Sequence, residues 1–132
     1  MIDAYREARA RAGREGDGEI VLQGMLSWAP TEAEAFEAAR KWKGAQPQDH
    51  YTAGWHEPRK MYEHGEAEVG DEQFADSVIA TSDPERIQER LREIERLEPT
   101  VVIVTNNSAA APQRAIEVLG RDVLPALRKT RV

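Results

Sequence analysis

PTVVIVTNNSAAAPQRA, residues 99–115, is the stretch that decides the fold class this chain is expected to adopt. Residues 100–105 hold four successive apolar side chains between two threonines, which is typical of a short strand buried on both faces. A polar loop and a helical segment follow. Strands of this kind occur inside parallel sheets whose two faces are covered by helices. The stretch therefore predicts an α/β fold, in which this strand needs a neighbouring strand on each side.

The remaining chain alternates between helical and strand patterns. Thr31 and Glu34 form a capping box at the start of one helix, and Asp83 followed by Pro84 marks the start of another. The predicted helices span residues 2–12, 31–44, 57–68, 71–76, 84–97 and 112–128, and the predicted strands span residues 19–29, 77–81 and 100–105. Because strands alternate with helices, a parallel sheet built from βαβ units is expected.

Residues 45–76 break this alternation and are interpreted as an insertion. A connection of this length inside a compact domain is either functional or packed. Its aromatic set is expected to form a small core of its own: Trp42, Tyr51, Trp55 and Tyr62.

All three histidines, His50, His56 and His64, lie in the insertion. Their separations, six and eight residues along the chain, suit neither one face of a helix nor a zinc-finger motif. The spacing therefore predicts no metal site.

The composition favours one soluble domain over residues 1–132. A net charge of −6 and a pI near 5.1 argue against nucleic acid or an anionic membrane surface as a partner. The chain has no cysteine, which excludes disulfides and thiolate sites. Its apolar runs are shorter than the roughly 20 residues of a membrane-spanning helix, and its first residues lack the apolar core of a signal peptide. A cytoplasmic location is expected.

Four segments give the sequence a resemblance to a known family. They are LQGMLSWAPTEAEAFEAARKWKGAQP (22–47), WHEPRKMYEHGE (55–66), ATSDPERIQERLREI (80–94) and VVIVTNNSAAAPQRAIEVLGRDVLPAL (101–127). These segments are similar to the C-terminal part of luciferase-like oxidoreductases that use the deazaflavin coenzyme F420. The similarity is to the branch related to F420-dependent glucose-6-phosphate dehydrogenase.

The resemblance implies the C-terminal portion of a (β/α)8 TIM barrel, a fold of about 250 residues in its usual form. Residues 1–132 would correspond to helix 5 through helix 8, with residues 45–76 inserted between helix 6 and strand 7. Residues 100–105 would be strand 8. That strand would pair with strand 7 (residues 77–81) and with strand 1, which this sequence does not contain.

The resemblance also implies coenzyme F420 as the cofactor and hydride transfer between a CH–OH or similar group and the deazaflavin. In the family, the residues that perform the chemistry and hold the coenzyme come mainly from strands 1 to 5. No catalytic or cofactor-binding residue is therefore assigned in this sequence. The chain is expected to be inactive in hydride transfer by itself.

The loops that follow barrel strands face the active site, so this chain is expected to supply the substrate end of the barrel for a small molecule. Its candidate pocket residues are Trp28, Asn106, Asn107 and Ser108. Each has an alternative role. Trp28 can pack under the insertion, and asparagines after a strand can serve the turn alone.

Sugar-phosphate-specific relatives hold the phosphate with basic residues, which would fall near Thr52 and Ser77 in this sequence. Neither is basic, although a phosphate dianion favours lysine or arginine. Glucose 6-phosphate is therefore not expected as the substrate. The nearby cations Lys43, Arg59 and Lys60 are expected to be solvated surface residues.

Two functions remain open at this point. In the first, the chain is the C-terminal half of an F420-dependent oxidoreductase and needs an N-terminal barrel half as its partner. In the second, it is an autonomous half-barrel that binds or assembles as a homo-oligomer without catalysis. The first is favoured because an autonomous half-barrel is expected to begin with a strand, whereas this sequence begins with a helix.

Overall fold

A computed structural model describes residues 1–16, 18–109 and 111–128. Its helices are α1 (Ile2–Arg11), α2 (Glu32–Arg40), α3 (Pro58–Glu68), α4 (Asp71–Ser77), α5 (Pro84–Glu95), α6 (Pro112–Val118) and α7 (Leu124–Arg128), and its strands are β1 (Val21–Trp28), β2 (Val78–Thr81) and β3 (Val101–Asn106). Two 3₁₀ turns, Lys43–Ala45 and Gln48–Tyr51, lie between α2 and α3. The predicted helices and strands are confirmed, with ends that differ by a few residues. Within the described ranges, no helix is long and apolar enough to cross a membrane.

The three strands form one parallel sheet in the order β2-β1-β3. Residues 25–28 of β1 lie opposite β2, and residues 21–26 lie opposite β3. The predicted pairing of residues 100–105 with residues 77–81 is therefore wrong, since β1 separates the two strands. The consecutive order of a barrel would place β2 at the centre. The eight-residue β1 can pair along both of its edges, whereas the four-residue β2 is too short to pair with all of β3.

Helices pack on both faces of the sheet. The neighbouring residues Met25 and Leu26 point to opposite faces of β1. Leu26 lies in a cluster with Ile87 of α5 and Ala115 of α6. Met25 lies against a second cluster that contains Phe74 of α4. Because α2 belongs to the second cluster and α6 to the first, the loops that follow β1 and β3 leave the sheet toward opposite faces.

A pair of glycines lets the insertion pack closely against the rest of the chain. A Cβ atom on Gly65 of α3 would lie 2.5 Å from the Cα atom of Gly44. A Cβ atom on Gly44 would lie 2.7 Å from the Cα atom of Tyr62. The helix and the 3₁₀ turn therefore meet backbone to backbone, a contact that only residues without a side chain allow.

An ion-pair cluster adds a second link between α2 and the insertion. The Lys43 ammonium donates to Asp71 Oδ1 at 2.8 Å, and the Arg40 guanidinium donates to Glu66 Oε2 at 3.1 Å. A hydrogen bond from Lys43 is the main cause that holds the pKa of Asp71 below its ordinary value. Lys43 is only 4% exposed, so the expectation that it is a solvated surface residue is wrong.

The aromatic core expected for the insertion is not formed. Trp42, Tyr51 and Tyr62 are 51%, 71% and 41% exposed, and only Trp55 is partly buried. The glycine contact docks this segment onto the turn Lys43–Ala45, and the ion pairs link it to Arg40 and Lys43.

The last helix is divided, as Gly120 and Pro125 indicate. A π-helical turn, Leu119–Val123, joins α6 to α7. Proline has no N–H to donate to the preceding turn, and its ring clashes with a regular α-helical backbone. A widened turn directly before Pro125 relieves both problems.

Candidate ligand crevice at the carboxyl ends of the strands

The carboxyl ends of β1 and β3 border a crevice of about 330 Å³. Open α/β sheets bind ligands at the point where the loops of two adjacent strands leave toward opposite faces, and β1 and β3 meet this condition. The crevice is lined by two loops and α2: Ala29, Pro30, Glu34, Glu37, Ala38, Lys41, Ser108, Ala109 and Ala111. Among the four candidate pocket residues, Ser108 is the one that lines it.

Trp28 and Ser108 lie in direct contact. The backbone N–H of Trp28 donates to Ser108 Oγ at 2.9 Å, and both residues are buried. The indole N–H of Trp28 donates to the carbonyl of Ser82 at 3.0 Å, and the guanidinium of Arg114 lies 5.4 Å from the centre of a Trp28 ring. The polar atoms of Trp28 are therefore bonded within the protein. Its side chain belongs to the core cluster of α5 and α6, so Trp28 packs in that cluster rather than under the insertion.

Asn106 closes the loop that follows β3. Its Nδ2 donates to the carbonyl of Pro112 at 2.9 Å, and its Oδ1 accepts from the backbone N–H of Ser108 at 3.1 Å. The second bond, from a side chain to the backbone two residues later, is the usual turn chemistry of asparagine. Both ends of the Asn106 amide are bonded to the backbone of its own loop.

Asn107 links the same loop to β1 and to Trp42, just before the insertion. Its backbone N–H donates to the carbonyl of Leu26 at 2.6 Å. With the amide oriented to satisfy both of its neighbours, its oxygen accepts from the Trp42 indole N–H at 3.0 Å and its nitrogen donates to the Thr105 carbonyl at 3.0 Å. Asn107 is 4% exposed, so its role is to hold the loop after β3 against β1 and Trp42.

Glu32 joins the start of α2, immediately after β1, to the loop after β2. In the sequence it is recognisable only as an acidic residue in the first turn of a helix. Its Oε1 accepts from Thr81 Oγ1 at 2.7 Å and from the backbone N–H and the hydroxyl of Ser82 at 2.7 and 2.8 Å. Burial raises the pKa of Glu32, but these hydrogen bonds and the nearby Arg86 outweigh burial and lower it overall. The loops after all three strands are thus tied together.

The residues discussed for phosphate binding lie outside the crevice lining. Thr52 is exposed, and the Ser77 hydroxyl donates to the carbonyl of Phe74 at 2.8 Å. Arg59 and Lys60 are exposed on α3, and Lys60 forms an ion pair with Glu57 three residues earlier. These positions provide no cluster of cations for a phosphate.

The structure brings two of the three histidines together, which their spacing did not predict. The rings of His50 and His64 lie 5.3 Å apart between centres, and Asp49 Oδ2 lies 3.1 Å from His64 Nε2. His56 is exposed on the loop before α3. The two histidines meet because the 3₁₀ turn Gln48–Tyr51 and α3 pack together, and sequence spacing reports only geometry within one element.

The comparisons with known proteins find similarity in fold. No protein-family model matches the sequence, and no curated protein matches it. Among solved structures, an F420-dependent secondary alcohol dehydrogenase in complex with an F420–acetone adduct matches this chain with a TM-score of 0.86 at 20% sequence identity. The chain has the fold of part of this dehydrogenase. The match covers 96% of this chain and 38% of the dehydrogenase chain.

The match confirms the α/β class with three parallel strands and flanking helices, and it agrees with the resemblance of the four sequence segments at the level of fold. The F420 dependence and the alcohol substrate are properties of the matched enzyme. This chain spans well under half of that enzyme's length.

Proposed function

We propose that this chain is part of an F420-dependent luciferase-like oxidoreductase, to which it contributes the substrate end of the barrel. The observation that supports the proposal most strongly is the structural match over 96% of the chain to an F420-dependent secondary alcohol dehydrogenase. In the proposed reaction, a hydride passes between a secondary alcohol or similar CH–OH group and the deazaflavin. The crevice at the carboxyl ends of β1 and β3 is the part that this chain would present to a small substrate.

The described residues of this chain do not fit coenzyme F420 by themselves. The crevice lining contains two carboxylates, Glu34 and Glu37, and one cation, Lys41. The side-chain amides of Asn106 and Asn107, next to the lining residue Ser108, are bonded to the protein. A phosphate-bearing coenzyme instead favours cationic side chains or free backbone N–H groups. The coenzyme site must therefore be supplied by the portion of the barrel that this chain does not match.

The test is complementation by the missing portion. The chain is mixed with a polypeptide comprising the part of the matched alcohol dehydrogenase that has no counterpart here, and reduction of F420 by a secondary alcohol is followed by the loss of deazaflavin absorbance. We expect the two polypeptides to co-elute and the mixture to reduce F420, while each alone does not. Absence of a complex at high micromolar concentration, or a complex without activity above the separate parts, would overturn the proposal.

Binding of F420 to this chain alone can be measured separately. Titration of F420 with this chain alone, followed by deazaflavin fluorescence, should show no binding in the micromolar range. Saturable micromolar binding would show that a coenzyme site exists here despite the charges of the crevice.

A second candidate function, self-assembly without catalysis, is supported by the uncovered half of one sheet face. Val21, Val101 and Ile103 share that face and are 49%, 42% and 46% exposed. An assembly module would form a stable homo-oligomer that binds neither F420 nor the complementing polypeptide. The complementation experiment therefore separates the two functions.

A further inference from the structure

We propose that Asp49, His50 and His64 form a binding site for a divalent transition-metal ion such as zinc. The site lies in the insertion, away from the crevice, and does not depend on the proposed oxidoreductase function. Asp49 and His50 come from the 3₁₀ turn Gln48–Tyr51, and His64 comes from α3. Each residue offers one ligand atom, and these atoms all lie within 4.8 Å of one another.

The distances suit a small coordination sphere. Metal–ligand bonds of about 2.0–2.1 Å in a tetrahedral zinc site place neighbouring ligand atoms roughly 3.3 Å apart. The separation of 3.1 Å between Asp49 Oδ2 and His64 Nε2 is already close to this value. The other separations are at most 4.8 Å, so these ligand atoms would approach one another by up to about 1.5 Å when the ion binds.

His50 provides the observation that points to a ligand. Its side chain is 5% exposed, and neither ring nitrogen has a hydrogen-bond partner among the described residues. An imidazole carries at least one N–H donor and one lone pair when neutral, so this burial leaves both groups unsatisfied. Buried polar groups are almost always bonded, and an unbonded one is costly. A metal ion between His50 and His64 would satisfy the lone pair.

Trp55 holds the second histidine in place. Its ring stacks on His64 with 4.9 Å between centres and 21° between planes, and it meets His50 edge-on at 5.3 Å. His64 Nε2 lies 3.1 Å from Asp49 Oδ2, a carboxylate oxygen that can only accept, so the His64 ring presents this nitrogen to Asp49. Apolar surroundings and a fixed ring orientation are the features that support metal ligands from outside the coordination sphere.

The ligand types select the class of metal. Two imidazoles and one carboxylate suit zinc, nickel, cobalt or copper, whereas magnesium and calcium prefer oxygen ligands alone. Three protein ligands leave one tetrahedral position for water, as in zinc sites that are not purely structural. A bound ion would also fasten the turn Gln48–Tyr51 to α3.

The experiment measures zinc binding to the tag-free chain by isothermal titration calorimetry, and copper binding by quenching of tryptophan fluorescence. We expect one zinc ion per chain. The variants His64→Gln and Asp49→Asn should weaken zinc binding by at least about tenfold, the loss typical for a removed ligand or supporting group. His56→Gln is the matched control, because it removes an exposed histidine of the same segment, and it should leave binding unchanged.

A further variant, Trp55→Phe, tests the site while leaving all three proposed ligands in place. Trp55→Phe should retain zinc binding but lose most of the copper quenching, since Trp55 is the indole stacked on a ligand. Circular dichroism checks that each variant is folded. The proposal is overturned if the folded wild-type chain binds no zinc at millimolar concentration, if His56→Gln weakens binding as much as His64→Gln, or if both His64→Gln and Asp49→Asn bind as tightly as wild type.

Discussion

Asn106 and Asn107 use their side-chain amides for hydrogen bonds within the protein, and Ser108 accepts from the backbone N–H of Trp28. Their position at the end of β3 places them at the carboxyl edge of the sheet. The sequence could not show that their hydrogen-bonding groups are used within the protein, because the partners Leu26, Trp42 and Pro112 come from three different segments. Whether Ser108, which lines the crevice, contacts a substrate stays a prediction.

The Glu32 side chain leads to a prediction about how the stability of the chain depends on pH. Its carboxylate accepts three hydrogen bonds from Thr81 and Ser82, and its pKa is lower than the ordinary glutamate value of about 4.3. The unfolded chain therefore takes up this proton at a higher pH than the folded chain. The stability that Glu32 contributes is complete well above about pH 4.3 and is lost as the pH falls through the lower folded-state pKa.

We therefore expect Glu32→Gln to lower the free energy of unfolding at pH 7 by less than about 1 kcal/mol, because the carboxylate is exposed to solvent and screened. The difference from wild type should shrink toward pH 3. Urea denaturation at a series of pH values measures it. Glu89→Gln, which alters an exposed carboxylate on α5, serves as the control and should show no difference at any pH. If the difference in free energy of unfolding between Glu32→Gln and wild type were the same at every pH, the charge of Glu32 would have no role in stability.

At the scale of helices and strands, local patterns predicted the elements but not their neighbours. Thr31 caps α2 by accepting from the backbone N–H of Glu34, and Asp83 caps α5 by accepting from that of Glu85, as the sequence indicated. Capping residues and hydrophobic periodicity act within one element, so they predict the type of that element and where it begins. The order β2-β1-β3 depends on the lengths of three strands and on which faces the helices cover, and no local pattern records it.

The contact between α3 and the 3₁₀ turn Lys43–Ala45 leads to a prediction for Gly65. A methyl group at this position would meet the Cα, the carbonyl carbon and the oxygen of Gly44, all backbone atoms that cannot rotate away. We expect Gly65→Ala to destabilise the chain by about 1–3 kcal/mol, the range for overpacking a close contact. Urea denaturation followed by circular dichroism measures the change.

Gly120→Ala is the matched control, since a Cβ atom there meets no atom within 4 Å. Alanine favours helical backbone over glycine, so this variant should be neutral or more stable by up to about 1 kcal/mol. Equal stability of Gly65→Ala and wild type would mean that α3 can move away from the turn at no cost, and that the glycine contact does not dock the insertion.

At the scale of the whole molecule, the sheet is covered unevenly. The helices α2 and α4 pack on the carboxyl half of one face, where Met25 and Val78 lie. Toward the amino end of the same face, Val21 lies opposite Val101 and both remain about half exposed. Along the outer edges of β2 and β3, no further strand pairs within the described residues. An edge strand with exposed apolar side chains is a template for pairing with another chain.

This edge predicts that the isolated chain self-associates through β3. Burying the exposed halves of Val101 and Ile103 would contribute about 1 kcal/mol for each side chain, and pairing would also satisfy the open backbone groups of the edge. A net charge of −6 per chain opposes association only weakly, because physiological salt screens exposed charges beyond about 8 Å. A lysine at an edge strand is a common natural means of blocking such pairing.

We therefore expect Ile103→Lys to weaken association by about tenfold or more, equivalent to 1.4 kcal/mol, in light scattering across a concentration series. Ile116→Lys makes the same substitution at a residue of α6 that is 60% exposed and belongs to no strand, so it should associate like wild type. Circular dichroism confirms that both variants fold. A wild-type chain that stays monomeric up to high micromolar concentration would contradict self-association through β3. Equal weakening of association by both lysine variants would indicate general charge repulsion instead of strand pairing at β3.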